Sequence, residues 1–275
     1  MPWNIISESV LGASHKRKGM PLQDAVMSML DRDFLYVAIA DGHGSNLCFR
    51  SDVGASLAVL SAIEIIQHQA RNIAEIKSRE GRELSLRNVL QAISAHWARL
   101  AMKHLRSNPF QATEIDSLTQ RQQKFLSTNA LLAYGSTLSL AVLNRKNVFG
   151  FCLGDGDALF KLKNKVELLD SDREAVGDAT HSICQIESIT KARFFEYDSK
   201  LLDCFMIATD GYKNSFESAE DFKQVIEDMH RIWKSSGAST IKKNFAEWLD
   251  ETSIKGSGDD ISACFLYNEA YSLNA

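Results

Sequence analysis

The sequence predicts an α+β protein, and three observations carry that expectation. Short apolar runs rich in β-formers recur in two batches, among them Phe34-Leu35-Tyr36-Val37-Ala38-Ile39-Ala40 and Cys204-Phe205-Met206-Ile207-Ala208. Each batch adjoins a pair of segments whose apolar residues recur at helical spacing. The regular βαβ alternation of a parallel sheet is missing.

Taken in order, Asn4 to Leu11 alternates loosely and reads as a strand, while Gly12 to Gln23, closed by Gly19-Met20-Pro21, reads as a loop. Asp24 to Leu30 resumes a strand. With Asp31-Arg32-Asp33 as the turn, it should pair with the Phe34 run as an antiparallel hairpin. Leu57, Leu60, Ile63, Ile65 and Ile66 predict a helix from about Ser51 to Ile76, after which Gly81 interrupts. Leu86, Val89, Leu90, Ile93, Trp97, Leu100 and Leu105 mark one face of a second helix, Ser85 to Leu105, ended by Asn108-Pro109. These two helices should pack as an antiparallel pair. Gln111 to Thr128 is polar and reads as a connection with one helical turn.

Strands then follow over Gly135 to Leu143, Val148 to Leu153, Ala158 to Leu162 and Val166 to Leu169. Asp170 to Glu187 is polar and irregular, a surface loop or flap. Arg193 to Tyr197 and Cys204 to Ala208 are further strands; helical patterns at Ser218 to Ser235 and Thr240 to Thr252 precede the last strand, Ile261 to Tyr267. No repeat, low-complexity tract or linker divides the chain, so residues 1–275 are expected to form a single domain.

An apolar content of 45% with 24% charged residues is ordinary for a soluble globular protein. A net charge of −4 argues against a nucleic-acid binder, and no basic cluster exceeds Lys16-Arg17-Lys18. No apolar run approaches the ~18 residues of a membrane span. Met1-Pro2-Trp3-Asn4 lacks the layout of a signal peptide. The five cysteines are scattered, with no Cys-x-x-Cys, which suggests neither a zinc site nor a disulfide framework and fits a reducing, cytoplasmic location.

Aspartates recur where apolar runs begin or end: Asp24, Asp41 in Asp41-Gly42-His43-Gly44, Asp155 in Gly154-Asp155-Gly156-Asp157, Asp210 in Thr209-Asp210-Gly211, and Asp259-Asp260. Any one of these reads equally as a solvated turn, since Asp-Gly is a turn dipeptide. Their recurrence at strand ends points instead to carboxylates that converge. Converged carboxylates repel unless cations neutralise them. All-oxygen ligands favour hard divalent ions, Mg²⁺ or Mn²⁺, and two or more such ions are expected.

In chain order, Gln23-Asp24-Ala25, Asp41-Gly42-His43-Gly44, Gly135-Ser136-Thr137, Gly154-Asp155-Gly156, Thr209-Asp210-Gly211 and Gly258-Asp259-Asp260-Ile261-Ser262 together resemble the motifs of the type 2C metal-dependent serine/threonine protein phosphatases. Ser14-His15 and Gly19-Met20-Pro21-Leu22-Gln23-Asp24 resemble a bacterial subgroup. The resemblance implies a four-layer αββα sandwich, two antiparallel sheets flanked by helix pairs. It implies hydrolysis of phosphoserine and phosphothreonine in proteins by a hydroxide between two metals, with no phospho-enzyme. By it, Asp41 bridges two Mn²⁺ or Mg²⁺ ions, the Gly42 carbonyl binds one, and Asp210 and Asp259 complete the other. Asp24 holds metal-bound waters or ligates directly, and Asp155 serves a third, weaker site. Between Asp259 and Asp260 the ligand is expected to be Asp259, because the surrounding residues align around it.

The resemblance also implies that His43 protonates the departing oxygen; without the motif it reads as a capping or turn residue. The remaining histidines read as surface or packing residues. The family's phosphate-gripping arginine falls at Gly19, so Lys16, Arg17 or Lys18 are candidates to supply the charge, or form a solvated basic turn. Gln23 stands where Glu is more frequent, which removes one charge from the metal site. Residues 170–200 are expected to form a flap beside the site that shapes substrate choice. The expected partner is a phosphoprotein that a serine/threonine kinase phosphorylates, with no nucleic acid and no membrane. Alternatives are a catalytically weak phosphatase-like module that binds phosphoproteins or regulators, and a phosphatase of small phosphorylated metabolites.

Overall fold

The structure, a computed structural model, describes residues 2–169 and 181–269. The expected sandwich is present. Strands β1 (Trp3–Val10), β10 (Ile261–Asn268), β9 (Leu202–Ala208), β6 (Asp157–Leu162) and β7 (Lys165–Leu168) form one antiparallel sheet in that order. The second sheet runs β2 (Ala25–Asp31), β3 (Phe34–Ala40), β4 (Leu138–Leu143), β5 (Asn147–Leu153), β8 (Arg193–Asp198). β2 and β3 are the predicted hairpin, with Ala25 opposite Ala40.

β3 shows why the layers form. Its seven residues are all buried, because both of its faces are covered. Phe34, Tyr36, Ala38 and Ala40 point into a cluster beneath the helices α2 (Ser51–Ile66) and α4 (Arg79–Ser107). Leu35, Val37 and Ile39 point the other way, into the core between the sheets, against Phe160, Phe205 and Leu266. A third cluster packs the outer face of the first sheet on α8 (Ala219–Ser236) and α9 (Ala238–Lys255), through Phe222, Ile226, Phe245 and Leu249.

The helices differ from the sequence reading in four places. The loop expected over Gly12 to Gln23 contains a helix, α1 (Ala13–Lys18), stopped by Gly19 in the left-handed region (φ 66°). The helix expected to run to Ile76 breaks after Ile66 and resumes as α3 (Ala70–Glu75), which tucks Ala70 and Ile73 into the same core as Ile66. Gly81 does not interrupt. It lies in the first turn of α4, where its amide donates to the capping Ser78 hydroxyl at 3.2 Å and no preceding turn is there to require it. Gln111 to Thr128 holds α5 (Ala112–Asp116) and α6 (Gln120–Thr128); the second opens on a reciprocal cap in which Thr119 and Gln122 exchange side-chain bonds. α2 and α4 run antiparallel as expected: Trp97 late in α4 donates to the Gly54 carbonyl early in α2 at 3.0 Å.

Arg50 ties this helical layer together. It is buried, clasps both oxygens of Glu114 at 2.8 Å, and donates to the Asn108 and Pro109 carbonyls and the Tyr134 hydroxyl. Removing one member of such a cluster strands the others without partners. Arg50→Met is therefore expected to cost about 2–3 kcal/mol, read as a lower urea midpoint, the partial exposure of Glu114 holding it near the low end.

The registers bring the strand ends of interest to one end of the sandwich. In the first sheet Ala208 at the end of β9 faces both Ala263 near the start of β10 and Asp157 at the start of β6. In the second, Ile39 near the end of β3 faces Ser139, and Leu138 faces Leu153 at the end of β5. Residues 170–180 of the expected flap lie outside the described residues. Within the rest, 193–198 is no flap but the edge strand β8, paired along its length with β5.

Candidate metal centre

Asp41 is the first residue past β3, and Thr137 holds it on both sides. The Asp41 amide donates to Thr137 Oγ1 at 2.9 Å, and its carbonyl accepts from the Thr137 amide at 2.8 Å. Asp155 sits in the turn between β5 and β6. Arg193, the first residue of β8, clamps that turn by donating to the Gly154 carbonyl at 2.9 Å and to that of Gly156. Asp210 opens the one-turn helix α7 (Asp210–Lys213) after β9, with Oδ2 accepting from Asn214 at 2.8 Å. One carboxylate oxygen from each of Asp41, Asp155 and Asp210 lies within 4.8 Å of the others. Residues more than fifty apart in sequence meet because the two sheets end together.

Asp24, just before β2, lies beneath this group. Its Oδ2 accepts from the Thr209 hydroxyl at 2.8 Å, and its buried Oδ1 has no hydrogen-bond partner. Asp259 and Asp260 divide by environment. Asp260 is buried, with one oxygen accepting from the Gly12 amide and the other from the Gln23 amide, each at 2.7 Å. Asp259 lines the cavity and has the freer side chain, 52% exposed.

The crowding of carboxylates shows in their electrostatics. Burial pushes Asp41 well above the usual carboxylate range, and the Asp24, Asp210 and Asp155 charges push it further. Burial raises Asp24 to about 8 against the Thr209 hydrogen bond that opposes it. Asp210 is pushed up to about 6, by burial first and then by Asp155. Carboxyls so placed are all anionic at neutral pH only if cations join them. The donor set, oxygens of clustered carboxylates with an orphaned buried oxygen behind them, fits hard divalent ions.

Asp41, Asp155, Asp210, Asp259 and Asp260 line a cavity of about 400 Å³, and Asp24 does not reach its wall. His43 lines it too; its amide donates to the Gly135 carbonyl at 3.1 Å and its buried Nε2 has no hydrogen-bond partner. Gly42, whose amide donates to the Gln23 carbonyl at 3.1 Å, and Gln23, whose buried Oε1 is unpartnered, complete one wall.

Lys16, Arg17 and Lys18 are not brought to the cavity. They are exposed; Lys16 pairs with Asp250 on α9 and Arg17 bonds Ser14 at 3.2 Å. Helix formation over Ala13–Lys18 turns these side chains outward while burying His15. Among the described residues no lysine or arginine lines the cavity. His15, read from sequence with the other histidines as a surface or packing residue, lines it instead. Arg193 was equally missed, since nothing in a strand's own sequence announces which turn its first residue will clamp. Arg193→Met is expected to leave folding intact and weaken Mn²⁺ binding about tenfold, by loosening the Asp155 turn; a crystal structure of the variant with that turn unmoved would contradict the assignment.

The model of the family described as Protein phosphatase 2C matches residues 11–250. No curated protein sequence matches the chain. Among solved structures, Stp1, a serine/threonine phosphatase from Staphylococcus aureus, superposes with a TM-score of 0.59 at 12% identity, over 97% of this chain and 95% of its own. A bacterial serine phosphatase gives 0.58 at 13% identity, over 97% and 98%. The catalytic domain of the serine/threonine protein phosphatase PstP, solved with 2 manganese ions, gives 0.54 at 11% identity, over 96% and 97%.

Proposed function

Because the chain belongs to the protein phosphatase 2C family, we propose that it is a metal-dependent hydrolase of phosphoserine and phosphothreonine in proteins. The observation that carries the reading is the convergence of Asp41, Asp155 and Asp210 within 4.8 Å, with Asp24 and Asp259 close enough to shift their neighbours' charges. Asp41 would bridge two Mn²⁺ or Mg²⁺ ions and the Gly42 carbonyl would bind one of them. Asp210 and Asp259 would complete the other, and Asp155 would serve a third, weaker site. Dications bound there lower the pKa of water and neutralise phosphoryl charge.

The protein's own groups do the rest. Asp260, its oxygens taken by two backbone amides, holds the turn that presents Asp259. Asp24 sits in the layer below, where Oδ1 can accept from ordered water. His43 would give a proton from Nε2 to the departing serine or threonine oxygen; burial holds its imidazole below the usual range, and the Asp155 carboxylate acts against that. Asp41, its oxygens committed to the ions, would not itself attack phosphorus. No phospho-enzyme is needed.

With no lysine or arginine among the described residues of the cavity wall, the phosphate would be held chiefly by the ions. That same observation favours a second reading, a catalytically weak module that binds phosphoproteins. A phosphoserine peptide assay separates the two. Turnover is expected with Mn²⁺ or Mg²⁺, none in EDTA, and none for Asp210→Ala. His43→Gln is expected to lose about 10²–10³-fold on the peptide but far less on p-nitrophenyl phosphate, whose leaving group departs without a proton. Turnover that persists in EDTA would defeat the proposal; Mn²⁺ binding without turnover would favour the second reading. The partner would be a phosphoprotein that a serine/threonine kinase phosphorylates, and exchange of residues 170–192, the flap segment without strand β8, with a relative's segment should change peptide preference. No helix among the described residues is long and apolar enough to cross a membrane.

A further inference from the structure

We propose that His15 is a metal ligand: its Nε2 would join Asp259 on one divalent ion, so that an otherwise all-oxygen centre carries one nitrogen donor. The proposal rests on the reading of this cavity as a metal centre.

The imidazole is buried, with 8% of the residue exposed, and it faces the same cavity as Asp41 and Asp210. Its two nitrogens meet two different carboxylates. Nδ1 stands 2.9 Å from Asp260 Oδ1, without the alignment of a hydrogen bond, and Nε2 stands 3.7 Å from Asp259 Oδ1. Asp260 lines the cavity as well, but both of its oxygens already accept from backbone amides. It can only orient the ring. The order of groups is that of a carboxylate–imidazole–metal relay: a small turn of the ring would align Nδ1–H on Asp260 and leave Nε2 for the ion.

The second spacing matters as much. At 3.7 Å, His15 Nε2 and Asp259 Oδ1 are too far apart for a hydrogen bond. They are spaced as two donors that share an ion, since ligands about 2.1 Å from a metal lie roughly 3–4 Å from each other. Asp259 is fixed for this too, its Oδ1 accepting from the Asp260 amide at 2.9 Å. One donor atom from each of His15, Asp259 and Asp260 falls within 4.8 Å of the others.

A purely structural role for His15 would be redundant. The Gly12 amide on Asp260, the Ala13 amide on the Ser253 hydroxyl and the Ser14 amide on the Gly258 carbonyl already strap the start of α1 to this region. An imidazole adds little to that strap, whereas a nitrogen ligand shifts the centre's preference from Mg²⁺ toward Mn²⁺, Fe²⁺ and Zn²⁺.

Electron spin echo envelope modulation of the Mn²⁺-loaded full chain reads the bond directly, because a coordinated ¹⁴N modulates the manganese echo. Modulation is expected in the wild type, replaced by the ¹⁵N pattern after histidine-selective labelling, retained in His43→Gln and His181→Gln, and lost in His15→Gln. Calorimetry of His15→Gln should show the ratio of Mn²⁺ to Mg²⁺ affinity falling roughly tenfold. Should His15→Gln not fold, the labelled wild type and the other two variants decide the matter unaided. Bound Mn²⁺ with no nitrogen coupling, or coupling lost in His43→Gln or His181→Gln, overturns the proposal and leaves the phosphatase reading intact. No Mn²⁺ binding at millimolar concentration overturns both.

Discussion

Asp41→Asn should abolish turnover and, in the same protein, raise the thermal stability of the metal-free form. The two effects have one cause. Asp41 is half-buried beside Asp24, Asp155 and Asp210, all of which push its carboxyl toward the neutral form. Without cations that carboxyl must either stay charged against its neighbours or hold a proton the unfolded chain would release, and an amide of the same shape avoids both costs. For a chain of 275 residues, a relief of about 1–3 kcal/mol corresponds to a rise of about 2–5 °C in Tm. With millimolar Mn²⁺ the order should reverse, since an ion that binds only the folded wild type stabilises it by mass action. Turnover on a phosphopeptide should fall at least about 10³-fold, as the proposed bridging ligand is gone.

The pH dependence has a definite sign. Asp24 is raised from 3.8 to about 8 in the folded protein, so the folded state holds its proton at pH values where the unfolded chain has released it. Stability of the metal-free protein should therefore fall as pH rises from about 4 toward 8. Thermal scans in EDTA across that window check the slope, and saturating Mn²⁺ should flatten it. A wild type that is most stable in EDTA at pH 8, or an Asp41→Asn that is less stable than wild type there, would contradict this account of the site.

The second large effect is expected of Gly12→Ala. Gly12 has an ordinary φ of −59°, so alanine meets no backbone strain there. Space is the obstacle. A Cβ at this position would stand 2.3 Å from the Asp259 carbonyl carbon and 2.6 Å from the Asp260 nitrogen. The turn cannot retreat, because on its other side a Cβ on Gly211 would lie 2.2 Å from the Asp260 carbonyl oxygen. The Asp259–Asp260 turn is pressed between two glycines, and a methyl on either side must move it by about 1 Å or more. A shift of that size at a ligand costs about 10²-fold in turnover. The displaced Asp260 would also strain its bonds to the Gly12 and Gln23 amides, and a loss of about 2–4 kcal/mol in stability is expected. Gly19→Ala provides the contrast. Its φ of +66° makes alanine strained, yet nothing lies within 4 Å, so about 1 kcal/mol should be lost with turnover unchanged. Urea unfolding and steady-state kinetics on the two variants distinguish a displaced ligand from a weakened helix end.

Much of the architecture was legible in the residues. β3 announced itself because a strand covered on both faces must be apolar throughout, and the aspartate after it stood out against that run. The same contrast marked Asp155, Asp210 and Asp259. Less legible were the features that depend on a neighbour distant in sequence. α1 hid in a small, basic stretch with no apolar periodicity, because it is held by the 253–260 region rather than by its own pattern. α5 and α6 rest on polar caps, which leave a fainter trace than a hydrophobic stripe. The break between α2 and α3 serves core burial that no single helix period reveals.

By itself, then, the chain determined its fold class, its family resemblance and the carboxylates that meet, since alternation, burial and strand-end chemistry are written locally in residue type. The tertiary structure alone decided that Lys16, Arg17 and Lys18 face away, that His15 faces in, and that Asp260 is spent on backbone amides while Asp259 reaches the cavity. Those outcomes turn on which side of a short helix or turn abuts another element, and that direction is set by packing between segments some 240 residues apart.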